Sequence, residues 1–198
     1  MKKRHLLLSC LLIVSALALV ACGGGGSSDE SEIEEAIETS ATSSDPANCT
    51  KLETVNFIEQ STDESGKAAL KTCEEEAKKE PESKAESVEV TEVEVEGSKA
   101  TANAAITGGS LEGQTVSVAL VEEGGWKLDE LTGFVKLDQG ALAKVFKAQL
   151  EKSGELNSTQ TSCIVEGIEK APQEEIEEII LGGNSAPIEE LAEGCVQE

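Results

Sequence analysis

The sequence predicts an α+β fold: N-terminal helices packed on a curved four-stranded antiparallel sheet, followed by a small all-α C-terminal tail. Apolar residues recur with a helical period between residues 32 and 80. From residue 83 to residue 137 they instead alternate with polar residues, as in half-buried strands. The helical period returns at residue 139 and continues towards the C-terminus.

Three helices are expected before the sheet. The stretch SEIEEAIET places Ile33, Ala36 and Ile37 on one face. A helix is expected over residues 49–60, just after Asp45-Pro46. Proline is compatible with the start of a helix, because the N–H that it lacks has no helical partner there. A returning helix covers residues 67–79, and Pro81 ends the helical region. The apolar sides of these two helices consist of Leu52, Val55, Phe57 and Ile58, and of Ala68, Ala69, Leu70, Cys73 and Ala77.

Four strands in hairpin order are expected next. In SVEVTEVEVEG the valines move from even to odd positions at Thr91-Glu92, which predicts a bulge or a bend there. The following strands, SKATANAAITGG, GQTVSVALVEEGG and WKLDELTGFVKL, are joined by short glycine turns. This arrangement predicts an antiparallel meander.

A small helical subdomain is expected over residues 138–198. Its first helix has Leu142, Val145, Phe146 and Leu150 on one side. The stretches STQTSCIVEGIEKA, PQEEIEEIILGG and APIEELAEGC then begin with Ser158, Pro172 and Pro187, and Gly182-Gly183 ends the middle one.

Residues 1–21 have the plan of a secretory signal peptide. Lys2, Lys3 and Arg4 precede the apolar block 6–20, which is shorter than the roughly 20 residues of a comfortable membrane span. Leu19-Val20-Ala21-Cys22 resembles the lipobox of bacterial lipoproteins. That resemblance implies cleavage before Cys22 and lipidation of its sulfur. The alternative is an ordinary secreted protein that is cut near Ala21, with Cys22 incidental.

The lipobox resemblance implies a membrane lipoprotein on the extracytoplasmic face. A diacylglyceryl group with palmitate-type chains supplies two acyl chains, and two chains are needed for stable attachment. Residues 22–31 then read as a flexible Gly/Ser/acidic tether, with a mean end-to-end distance on the order of 15–18 Å.

The charge of the chain excludes nucleic acid as a partner. Removal of residues 1–21 takes away three of the 16 basic residues and none of the 39 acidic ones, so the net charge moves from −23 to −26. Such a polyanion cannot release counterions from nucleic acid. Solubility outside the cell explains the charge; weak multivalent cation binding is the alternative, although no loop has calcium-site spacing.

Four cysteines remain after Cys10 leaves with the signal peptide and Cys22 takes lipid. In an exported chain they predict two disulfides, with three possible connectivities. The heights of the cysteines on antiparallel helices favour Cys49–Cys73, and the pair Cys163–Cys195 brackets the helical tail in the same way. The alternatives are four buried thiols or a zinc site, and the zinc site is disfavoured by long spacings and by the lack of histidine beyond His5.

The order of elements over about residues 45–137 resembles the cone-shaped fold of nuclear transport factor 2 and ketosteroid isomerase (NTF2-like), within the cystatin-like architecture. GGWKLDEL looks like the late strand on which such domains place a tryptophan after a turn. The resemblance implies an NTF2-like domain over residues 32–137, with a pocket at the wide end of the cone. That family uses the pocket for enzymes, binding modules and interaction surfaces alike, so the fold does not fix the function.

The catalytic residue types favour a non-enzymatic role. The only histidine is His5 and there is no tyrosine, so the mature chain lacks an imidazole base and a phenol donor. Asp129 and Glu130 are adjacent carboxylates in a strand, which places them on opposite faces. Thr101 and Asn103 share a strand face and are expected at the surface; the alternative is that they line a pocket.

The sequence therefore predicts a binding or interaction module without catalytic residues, cofactor or metal. Its predicted partners are membrane lipid through Cys22 and a small apolar ligand or another envelope protein. The alternative is a carboxylate-based isomerase or hydrolase that uses the cone pocket.

Overall fold

The computed structural model describes residues 26–62, 64–79, 83–154, 156–182 and 193–195. The predicted signal peptide, Cys22 and most of the last predicted helix (186–195) lie outside these residues. The helices are α1 (Gly26–Thr42), α2 (Asn48–Lys51), α3 (Val55–Thr62), α4 (Lys67–Lys79), α5 (Gln139–Ser153), α6 (Ser158–Lys170) and α7 (Gln173–Gly182). The strands are β1 (Ser87–Glu96), β2 (Lys99–Thr107), β3 (Thr115–Glu122) and β4 (Trp126–Lys136), with a 3₁₀ turn at Gly109–Leu111 between β2 and β3.

The four strands form one open sheet in the order β1-β2-β3-β4, and every neighbouring pair is antiparallel. The predicted α+β class and the four-stranded meander are therefore confirmed. The predicted bulge is also present, because Thr91 pairs with Asn103 and Glu94 with Thr101, leaving one extra residue on β1. Glu92 lies at this bulge with a φ of 53°.

The main core lies between helix α1 and one face of the sheet. The predicted apolar face of α1 is confirmed, since Ile33, Ala36 and Ile37 are all buried and Ile33 has no exposed surface. They pack in one cluster with the inward-facing residues of the sheet, among them Val118 and Trp126. The remaining buried members of the cluster are Ala100, Ala102, Ala104, Val116, Leu120 and Leu128.

The helix predicted over residues 49–60 is wrong as a single element. The chain leaves helical geometry after Lys51 and enters a second helix at Val55. In between, the Leu52 carbonyl accepts a hydrogen bond from the Leu128 amide, and the Thr54 amide donates to the Leu128 carbonyl. Val55, predicted on the apolar side, is 60% exposed. Hydrogen bonds to the backbone of β4 therefore replace those that these residues would have made within a continuous helix.

Residues 26–31, which the sequence predicts to be part of a flexible tether, belong to helix α1. This segment contains serines and Asp29 in the first turn, and a negative charge there is favourable for the helix dipole. The glycines at 23–25 lie outside the described residues.

Strand β4 is irregular, and the α2–α3 segment covers its free edge. Leu128 pairs with Leu120 whereas Glu130 pairs with Ala119, so Asp129 is an extra residue on β4. Two further register shifts follow along the same pair of strands. The edge of β4 is satisfied by Leu52 and Thr54, as described above, and by the side chains of Asn56 and Gln60. Edge strands are commonly protected in such ways.

Helices α5, α6 and α7 follow the sheet in the order that the helical periodicity predicts. They share a second buried cluster that includes Leu142, Ile164, Ile168 and Ile176. Buried Gln114 ties the start of α5 to the sheet, since its side chain accepts from the Asp138 amide and donates to the Asp138 carbonyl. Among the described residues, no helix combines the length and apolar character needed to cross a membrane.

Candidate functional site

A cavity of about 310 Å³ lies between the inner face of the sheet and helices α1, α3 and α4. Exposed Ser61 and Glu76 also line it, which places them where it meets solvent. Its apolar wall consists of Ile37, Ala41, Phe57, Ala77, Ala85, Val88, Ala104, Ile106, Leu111, Val116, Val118, Leu128 and Leu131.

Small side chains explain why this space is not filled. Ala104 of β2 lines the cavity on the side of the sheet, and Ala77 of α4 lines it on the side of the helices. Because the core contains few aromatic residues, its side chains have too little volume to fill the space between a sheet and three helices. Protein interiors otherwise pack to nearly crystalline density, so a space of this size calls for an explanation.

Glu53 is the one carboxyl group that is both buried and part of the cavity wall among the described residues. It lies in the break between α2 and α3, where its neighbours Leu52 and Thr54 are hydrogen-bonded to Leu128. Thr54 also begins α3, because its hydroxyl accepts from the Phe57 amide. The interruption of the helix thus places Glu53 in the wall with only 8% of its surface exposed.

The two carboxyl oxygens of Glu53 have different surroundings. Oε1 accepts a hydrogen bond of 2.7 Å from the Ser40 hydroxyl of helix α1. Oε2 lies 3.5 Å from the sulfur of Cys73, and that sulfur is bonded to Cys49. A disulfide sulfur carries no hydrogen, so this second approach is a contact and not a hydrogen bond.

The same geometry argues against a metal at this position. Cys49, Glu53 and Cys73 offer ligand atoms within 4.8 Å of one another. Metal binding by cysteine requires the thiolate, however, and both sulfurs are committed to the disulfide. The cluster is therefore a buried carboxyl group beside a disulfide.

Lys84 lines the cavity next to Ser40, and its ammonium group is hydrogen-bonded to the backbone of helix α1. Its Nζ donates to the Ser40 carbonyl at 3.2 Å, and the Ala85 amide donates to the Ala41 carbonyl. These carbonyls belong to the last turn of α1, where a lysine satisfies free carbonyls and complements the helix dipole.

The structure places the predicted cysteine pairs in two separate regions. Cys49 and Cys73 are joined with their Cα atoms 6.2 Å apart, and Cys73 lines the cavity. Cys163 and Cys195 are joined with their Cα atoms 5.7 Å apart, within the cluster of α5–α7. Cys22 lies outside the described residues, so its predicted lipidation stays a prediction.

The carboxylates Asp129 and Glu130 do not reach the cavity. Opposite faces were predicted for them from strict alternation along a strand, and the extra residue on β4 interrupts that alternation. Their neighbours Leu128 and Leu131 line the cavity, whereas Asp129 and Glu130 do not. The Asp129 side chain instead accepts a 2.8 Å hydrogen bond from Thr54.

Thr101 and Asn103 are also absent from the cavity wall. Thr101 is exposed, and Asn103 donates to Glu92 at the bulge of β1. Their predicted place on the outer side of β2 agrees with burial of the alternate alanines.

A second cavity, of about 390 Å³, lies beside the α2–α3 segment. It is lined by exposed Thr50, Val55, Lys67 and Glu123 and has no wall from the inner face of the sheet. Its Lys127 Nζ already donates to the Thr50 carbonyl. We therefore regard the cavity between helices and sheet as the better candidate for a ligand.

Comparison with known proteins adds no further information about this site: no family model, curated protein or solved structure matches the chain.

Proposed function

We propose that this protein is a lipid-anchored, non-enzymatic binding module on the extracytoplasmic face of a membrane, which holds a small apolar ligand in the cavity between its helices and its sheet. The observation that carries this proposal is the cavity, with about 310 Å³ of space behind a mainly aliphatic wall. Small-molecule sites commonly have about 300–1,000 Å³ and a few polar groups in an apolar lining. Removal of apolar ligand surface from water contributes roughly 25 cal/mol per Å².

The proposed NTF2-like cone over residues 32–137 is supported by helices on one face of a four-stranded antiparallel sheet. The proposed helical subdomain over residues 138–198 is supported by the separate buried cluster of α5–α7. The cavity involves the first of these regions only, since none of its lining residues follows Leu131.

The proposed anchor at Cys22 would hold the cavity close to the membrane. Helix α1 begins at Gly26, and four residues of extended chain span at most about 14 Å. A ligand that partitions into the membrane would then have a short path to the protein.

A cavity-filling substitution tests the proposal. We expect the mature chain (residues 22–198, with Cys22→Ser so that no attached lipid competes) to bind n-butylbenzene, a pure hydrocarbon, in isothermal titration calorimetry. Ala77→Leu adds three carbons to a residue that lines the cavity, and should weaken this binding at least tenfold. Ala68→Leu makes the same change at an exposed position of the same helix, and should leave binding unchanged.

Equal binding by the Ala77→Leu and Ala68→Leu variants, or no binding by the unsubstituted mature chain, would contradict the proposal. Circular dichroism of each variant checks that both are folded, since overpacking in a core costs about 1–3 kcal/mol.

A carboxyl-based isomerase or hydrolase is the second candidate, and Glu53 is the observation that favours it. A buried carboxyl group in a cavity is a candidate proton acceptor. The sequence has no tyrosine, and no histidine other than His5, to assist it. Turnover of a cavity ligand that is lost in Glu53→Gln while binding persists would favour this candidate.

A further inference from the structure

The Oε2 oxygen of Glu53 has no hydrogen-bond donor among the described residues. Its sister atom Oε1 is occupied by the Ser40 hydroxyl, and the nearest polar partner of Oε2 is the disulfide sulfur of Cys73. Glu53 is more than nine-tenths buried, so water has little access to it from outside the cavity.

A buried acceptor without a donor is costly. The penalty is about 1–3 kcal/mol for a neutral group and larger for a charged one. Such a group is rare in a folded protein and calls for a partner that the chain itself does not provide. Glu53 lines this cavity and also the cavity beside α2–α3, but Cys73, whose sulfur Oε2 contacts, lines only this one. The geometry therefore favours this cavity as the space next to the unmatched oxygen.

We infer that the ligand of this cavity is an apolar molecule with a hydrogen-bond donor head, a primary ammonium or hydroxyl group, that donates to Glu53 Oε2. This inference rests on the proposed function, because it assigns chemistry to the same cavity. The apolar body contacts the aliphatic wall formed by residues such as Val88, Ile106 and Val116. The donor head supplies the hydrogen bond that the disulfide sulfur cannot donate.

The other charged groups of the wall are compatible with an ammonium head. The ammonium group of Lys84 is already engaged by the Ser40 carbonyl, and the Glu76 side chain is exposed. The buried charged group of the wall is Glu53, which favours a cation over an anion beside it.

A set of ligands with one skeleton tests the inference. The mature Cys22→Ser chain is titrated with n-pentylbenzene, 4-phenyl-1-butanol, 4-phenylbutylamine and 5-phenylpentanoate, which share a phenylbutyl skeleton and differ only in the head group. The measurements are made in 1 M NaCl, where the Debye length of about 3 Å suppresses general attraction of cations to the acidic chain. We expect the amine to bind at least tenfold more tightly than the acid.

Substitution of the carboxyl group provides the second half of the test. Glu53→Gln should weaken binding of the amine at least tenfold and change binding of n-pentylbenzene by less than twofold. Glu130→Gln removes the same charge at an exposed position outside the cavity, and should change neither. The comparison of head groups in the unsubstituted chain stands even if the Glu53 variant does not fold.

The possible failures are distinguishable. If no member of the series binds, the proposed function itself is wrong. If n-pentylbenzene binds but amine and acid bind equally, or Glu53→Gln leaves the amine unaffected, the cavity binds apolar ligands and the inferred donor head is wrong.

Discussion

At the scale of single residues, Gly108 and Gly109 let the loop after β2 approach the chain that precedes β1. Both have positive φ angles, 78° and 70°. A Cβ atom on Gly109 would lie 2.5 Å from the Ser83 carbonyl oxygen, which is backbone and cannot easily move. Ser83 and Gly108 both line the cavity, so this close approach lies next to its wall.

We expect Gly109→Ala to destabilise the fold more than Gly124→Ala. Both glycines have similar positive φ angles, but a Cβ on Gly124 would meet nothing within 4 Å. The left-handed conformation alone costs about 1–2 kcal/mol, and the clash at Gly109 adds about 1–3 kcal/mol. Urea denaturation followed by far-UV circular dichroism measures the difference. Equal losses for the two variants would show that the close approach is not present.

The burial of Glu53 in the cavity wall could not be predicted from the sequence. A helix over residues 49–60 is locally reasonable, and Thr54-Val55 offers only a weak signal of interruption. What breaks the helix is Leu128, which lies more than seventy positions later in the chain. The carboxylates that the sequence singled out, Asp129 and Glu130, were visible because they are adjacent, whereas burial of Glu53 depends on a long-range contact.

At the scale of elements, Gln60 holds helix α3 to two neighbours. Its amide group accepts from the Leu131 amide and donates to the Leu131 carbonyl, as another strand would do at the free edge of β4. The same Nε2 donates to the Leu181 carbonyl of helix α7. One side chain thus connects the sheet, the helices over it and the C-terminal helices.

We expect Gln60→Ala to lower the free energy of unfolding by about 1–3 kcal/mol, because partly buried backbone groups on β4 lose their partners. Gln173→Ala removes the same kind of side chain from an exposed helix position, and should change stability by less than about 0.5 kcal/mol. Urea denaturation followed by the fluorescence of Trp126, the single tryptophan, measures both variants. Matching midpoints for the two variants would contradict this role of Gln60.

The strands were more predictable than the connections between elements. The shift of valines in β1 revealed its bulge, since a change of face must disturb the ladder. In β4 the inward residues Trp126, Leu128, Leu131 and Phe134 are spaced by two, three and three positions, which reflects the register shifts with β3. That spacing is present in the sequence, but it also fits other structures until the partner strand is known.

At the scale of the whole molecule, the described residues form two large buried clusters and a small third one of Cys49, Ile58 and Ala69. One disulfide lies in the small cluster and the other in the cluster of α5–α7. Cys49–Cys73 joins residues 24 positions apart beside the cavity, and Cys163–Cys195 joins residues 32 positions apart among the C-terminal helices. In the chain-entropy model each bond contributes about 3–4 kcal/mol. Such bonds suit the oxidising location that the predicted lipobox implies.

The anchor and the ligand site involve different parts of the chain. Attachment through Cys22 depends on the signal sequence and the lipobox resemblance. The ligand depends on the cavity and on Glu53. A short connection between Cys22 and α1 would bring these two parts together at the membrane surface.

Native mass spectrometry of the protein extracted from its own cell membranes tests the central claim most directly. We expect a polypeptide that begins at Cys22, carries a diacylglyceryl group and retains a non-covalent small molecule, which the Ala77→Leu variant loses and the Ala68→Leu variant keeps. A chain that still begins at Met1 with no added acyl mass would contradict the anchor. A mature chain that never retains a small molecule, or retains one equally in both variants, would contradict the binding role.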